Sequence, residues 1–94
     1  MKATVFHSKA NEMGDFYVYF RDEQNNPTFL VGTTDFSTTY IREQLAKQRN
    51  KTKETVDVTT HVKVWDWTRN RVAVIKLSSI SKLVPLSTVL KNGN

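Results

Sequence analysis

The chain contains no cysteine. Disulfides, Cys-ligated zinc and thiol nucleophiles are therefore excluded. Its three glycines lie far apart and cannot form a phosphate-cradling loop. Histidine is nearly absent too: His7 and His61 are the only two, and no spacing pairs either with a carboxylate as a general base would require. No EF-hand or His-x₃-His pattern occurs, so neither a metal nor another cofactor is expected. Ser79-Ile80-Ser81-Lys82 spells Ser-x-x-Lys, but the other elements of that motif are missing and the match is chance. These absences lead us to expect a non-enzymatic protein. No run of 18 apolar residues exists, so no spanning helix and no membrane partner are expected. Met1 to Ser8 lacks an apolar stretch long enough for a signal peptide, which places the expected location in the cytoplasm (the host cytoplasm for a phage protein). Asn50-Lys51-Thr52 spells a glycosylation sequon, read as chance for the same reason.

What is present is a basic single domain, residues 1–94. A chain of this size buries roughly 60–70% of its unfolded surface. Fourteen Lys and Arg against nine Asp and Glu give a net charge of +5. The excess is uneven. Residues 1–36 hold three cations and five anions, whereas residues 37–94 hold eleven and four. A basic half invites an anionic partner, although solubility alone explains such a charge in many small domains.

Hydrophobic periodicity predicts β-β-β-α-β-β, an α+β fold with a mainly antiparallel sheet of about five strands, one amphipathic helix and a short C-terminal apolar segment. Ala3 to His7 reads as a first strand and Ser8 to Gly14 as a loop. Asp15 to Arg21 alternates, with Phe16, Val18 and Phe20 on one side and Tyr17, Tyr19 and Arg21 on the other. Asp22 to Pro27 is a turn by composition, and Thr28 to Thr33 a third strand in which Gly32 marks a bulge or a close backbone approach. A helix follows from Asp35, with Ser37 as N-cap and Phe36 stapled to Ile41. Its apolar stripe is Ile41, Leu45 and Gln48, and cations crowd its later turns. At the C-terminal end, Pro85 leaves two readings open: a short helix starting near it, or an edge strand that carries it.

The candidate site is the hairpin from Val56 to Leu77. Val56, Val58, Val62 and Val64 define a buried face, and His61, Lys63, Trp65 and Trp67 stand in the opposite phase. A turn centred on Arg69 and Asn70 would set Trp67 opposite Val72, Trp65 opposite Val74 and Lys63 opposite Lys76. The resulting surface is expected to bind nucleic acid, DNA or RNA. Lys47, Arg49, Lys51, Lys53, Lys63, Arg69 and Arg71 would meet phosphates, and Trp65 and Trp67 would stack on bases. The competing expectation for the tryptophans is burial under the helix or the C-terminal segment. The alternative function is a protein-interaction module, an inhibitor or adaptor of phage or bacterial type. It would dock through Trp65, Trp67, Val72 and Val74, joined by Tyr17 and Tyr19, with a homodimer through the same patch as a variant.

Overall fold

The computed structural model describes residues 1–48 and 56–87. Its elements are α1 (Ala3–Met13), β1 (Asp15–Arg21), β2 (Pro27–Thr33), α2 (Thr39–Gln48), β3 (His61–Asp66), β4 (Arg71–Lys76), a 3₁₀ turn (Leu77–Ser79) and β5 (Ile80–Pro85). The expected α+β class and five-stranded antiparallel sheet are observed, with strand order β4-β3-β2-β1-β5. One element differs from expectation: residues 3–13 are a helix rather than a strand and a loop. Of the two readings of the C-terminal apolar segment, the edge strand is observed, with Pro85 at its end.

The helix at the N-terminus has a tertiary cause. Ala3, Phe6, Ala10 and Met13 recur at helical spacing and all meet the apolar core. Phe6 and Ala10 are fully buried, and the Phe6 ring sets its edge against Phe16 at 6.1 Å. Gly14, at φ 74°, ends the helix by donating its N–H to the Ala10 carbonyl. The β-favouring residues Thr4 and Val5 fall on the exposed side, where propensity is a weak term.

β1 and β2 form a hairpin in register from Asp15↔Thr33 to Arg21↔Pro27. Its turn is held by Asp22, whose Oδ1 accepts from the Gln24 and Asn26 amides, and Asn25 takes a left-handed φ of 65°. β5 returns along the other side of β1. The connection between the two edge strands is very short. Lys76 to Ile80 is four residues, a reach of at most ~14 Å. The edges of a flat five-stranded sheet lie ~19 Å apart. The sheet therefore curls. Its inner face holds Phe16, Val18, Leu30, Val62, Val64 and Ile75, closed by Leu77 and by α1.

Gly32 lies where β2 meets β3, opposite Asp66. A Cβ there would fall 2.5 Å from the Trp65 carbonyl oxygen and against Val64 Cγ1. The expected close backbone approach is thus observed, and it permits the sharp departure of β3 from β2 after only two paired positions.

Candidate nucleic-acid interface

The β3–β4 register differs by two residues from expectation. Asp66 pairs with Arg71, Trp65 with Val72 and Lys63 with Val74. A two-residue slip keeps every side chain on its expected face, but it lengthens the turn to Trp67–Asn70 and removes the confrontation of Lys63 with Lys76. Asp66 is the cause. Its side chain is 2% exposed. Oδ1 accepts from the Thr68 amide at 2.9 Å and the Arg69 amide at 3.3 Å, and Oδ2 accepts from Arg69 Nη1 at 2.9 Å. Asn70 supplies the left-handed residue that closes the loop, at φ 52°.

The expected phosphate contacts do not assemble into one row among the described residues. Lys47 is exposed in the last turn of α2. Arg69 is committed to Asp66. Lys63 and Arg71 are exposed, but strand parity puts them on opposite faces of the hairpin. Arg49, Lys51 and Lys53 lie outside the described residues.

Trp65 must be corrected as a base-stacking residue, because it is fully buried. α2 lies over this end of the outer face. Tyr40 stacks on Trp67 with centroids 6.1 Å apart, Gln48 Nε2 donates to the Asn70 carbonyl at 2.9 Å, and Ile41 is wholly buried. Trp67 is half-buried. Its ring meets Trp65 edge-on, and its Nε1–H donates to Asp15 Oδ1 at 2.9 Å. The helix begins one residue later than the expected cap places it. Thr38 rather than Ser37 caps it, accepting from the Ile41 amide, because the Ser37 hydroxyl and amide both donate to Asp35. These bonds hold the exposed Asp35 carboxyl below its ordinary range.

The open part of the outer face lies on β5, β1 and β2. Tyr17 and Tyr19 are two apart on β1, and Phe29 is directly opposite Tyr19 on β2. The two tyrosine rings lie 6.4 Å apart and 20° from parallel. Phe29 sits 5.9 Å from Tyr17 and 5.7 Å from Tyr19, and it is 53% exposed. Lys82 of β5 stands opposite Tyr19 on the other side, and Val84 and Val31 flank Tyr17. Arg21 is the next outward residue of β1. Its Nη1 donates to the Asn25 carbonyl at 2.8 Å, leaving other guanidinium donors to solvent. Within these three strands the only acid of this phase is Asp15, already occupied by Trp67.

Tyr17 and Tyr19 stand in the legible outward phase of β1. Phe29 was missed because β2 is apolar in both phases: Phe29 and Val31 alternate with Leu30 and Gly32, so periodicity names no outer face. Lys82 was missed because its neighbour Tyr19 belongs to a strand 63 residues away.

Among the described residues no three His, Cys, Asp or Glu side chains gather as a metal site would require. Neither histidine is hydrogen-bonded to a carboxylate there; His61 Nδ1 instead meets Thr60 Oγ1 at 2.8 Å. No described helix is long and apolar enough to cross a membrane. No protein family, curated protein or solved structure matches the chain.

Proposed function

We propose that this protein is a non-enzymatic module that binds single-stranded nucleic acid on the outer face of β5, β1 and β2. The observation that carries the reading is the cluster of half-buried Tyr17 and Tyr19 with exposed Phe29, with Lys82 beside it and Arg21 at its end. Aromatic faces accept any base by stacking, at ~1–3 kcal/mol per base, and adjacent cations take the phosphates. Single strands suit such a surface because their bases can turn a face to the protein, whereas those of a duplex are already stacked. The reading keeps the stacking chemistry expected of the tryptophans and moves it to other rings.

The test is fluorescence anisotropy with labelled ten-nucleotide poly-dT and poly-rU at several salt concentrations. Binding at low salt is expected, with log K falling by ~1.4 per decade of salt if Arg21 and Lys82 each neutralise one phosphate. No binding of either oligonucleotide at 50 mM salt would sink the proposal. Val31 and Val84 on either side of Tyr17 favour a second reading, an apolar protein partner on the same surface. A partner of that kind would show an affinity nearly indifferent to salt.

A further inference from the structure

The two edges of the sheet are built differently. β5 is protected against strand addition by an irregularity opposite Tyr19/Phe20, by Lys82 in mid-strand and by Pro85 at its end. β4 carries none of these inside its span. It holds register with β3 over six pairs, and its centre is Val72-Ala73-Val74-Ile75. Among the described residues β4 pairs with β3 alone.

The hydrogen-bond phase identifies the groups that face outward. The Leu77 amide donates to the Thr60 carbonyl at 2.8 Å, so that pair is hydrogen-bonded. Alternation along an antiparallel ladder then makes His61/Lys76, Lys63/Val74 and Trp65/Val72 the non-bonded pairs. In such pairs the backbone groups point away from the partner strand. The N–H and C=O of Val72, Val74 and Lys76 therefore point to the open edge. The Ser79 hydroxyl agrees with this phase, because it donates to the Lys76 carbonyl at 2.6 Å from outside the ladder. Among the described residues, both groups of Val72, both of Val74 and the Lys76 N–H are left for a partner.

Charge narrows the partner. Arg71 and Lys76 stand exposed at the two ends of β4, His61 lies across from Lys76, and the strand contains no acid. Asp22 and Glu23 line the groove beside Val74 and Lys76 together with Arg21, so the excess of charge along the edge stays positive. We infer that the β4 edge accepts an extended segment of another protein, added as a sixth strand, in which acidic residues bracket a short β-branched stretch. A second copy of this chain is the poorer occupant, since it would bring the same two cations to the same edge. The inference is independent of the nucleic-acid surface, which lies on other strands.

The probe is a capped hexapeptide of alternating valine and threonine with an aspartate at each end, compared with the same peptide ended by lysines. Amide hydrogen exchange is read residue by residue. The aspartate peptide should slow exchange at Val72 and Val74 at least tenfold and leave Ala73 and Ile75, already bonded to β3, unchanged. The lysine peptide should have no effect. Val74→Pro deletes an outward donor without touching the β3 ladder, and should abolish the protection. Should that variant fold poorly, Arg71→Glu combined with Lys76→Glu should reverse the preference between the two peptides. Three results would overturn the inference: no slowing with the aspartate peptide, equal slowing with both, or slowing that needs only a higher protein concentration, which would identify a second copy as the occupant.

Discussion

The outer face of the sheet carries aromatic rings at both ends, and the two ends have different fates. At one end Trp65 and Trp67 lie beneath or against α2, tied down by Tyr40, Asp15 and Gln48. At the other, Tyr17, Tyr19 and Phe29 meet one another, Lys82, and Val31 and Val84 of the flanking strands, and no helix lies over them among the described residues. Both ends are rich in the residue types that mark binding surfaces. The difference is a helix delivered by the β2–β3 connection, which converts one aromatic group into structure and leaves the other accessible. Residue type nominates a surface; coverage decides whether it is one.

The sharpest way to break this comparison is to truncate one ring at each end. Trp65→Ala should cost about 3–5 kcal/mol, read as a fall in the urea midpoint at unchanged m-value. Trp65 Nε1 is buried with no partner among the described residues, so Trp65→Phe, which removes that donor, should cost much less. A loss under ~1 kcal/mol for Trp65→Ala would mean that α2 does not cover this end. Ile41→Asp attacks the cover itself and should cost more than ~3 kcal/mol, since an unpaired charge replaces a wholly buried side chain. An unchanged melting temperature would contradict packing of α2 through that face.

Phe29→Ala should do the reverse. Its stability change should stay within ~1 kcal/mol, because half the ring is already in water. Oligonucleotide binding should weaken by ~1–3 kcal/mol. Equal losses of stability for Phe29→Ala and Trp65→Ala would erase the distinction between the ends. A finer test uses Lys82→Ala, which should reduce the salt slope by ~0.7 with the fold intact. The smallest effect concerns pH. The carboxyl of Asp57 is held low by the Thr59 hydroxyl and amide and by His61, and that of Asp35 by Ser37. A depressed folded pKa means that the unfolded chain binds protons more readily. These groups contribute stability above the ordinary carboxylate range, and it is lost as pH falls through their folded values. Through these two acids the melting temperature should therefore not vary with pH near neutrality and should fall only on acidification. Asp57→Asn should flatten the acid limb slightly, and an unaltered limb would show that Asp57 is not held low.

Local pattern made much of this molecule legible. The alternation of β1 and the Asp22 to Pro27 turn follow from single-strand periodicity and turn chemistry and stand as read. Of the expected buried face of β3, only Val62 and Val64 are buried: Val56 and Val58 precede the strand, and Val58 lies exposed in a turn. The helix face of Ile41, Leu45 and Gln48 is also correct, though its cap moved to Thr38 once Asp35 engaged Ser37. Where two local signals competed, the sequence reading failed. Thr4-Val5-Phe6 favours strand while Ala3, Phe6, Ala10 and Met13 favour helix, and only the core beneath α1 resolves them.

The sequence by itself determined the absence of thiol chemistry, the basic second half, the phases of β1 and β3 and the residues able to turn. These depend on composition and on neighbours along the chain. Tertiary structure alone decided the hairpin register, through one buried carboxylate, and which aromatic rings are accessible, through the placement of α2. It also decided that Lys82 lies beside Tyr19, and that β4 and β5 are the edges. The register turns on the burial of Asp66, which a local pattern does not reveal. The other three share one physical reason: each is a relation between segments distant in sequence, set by what packs against what, and periodicity within one segment carries no information about its neighbour.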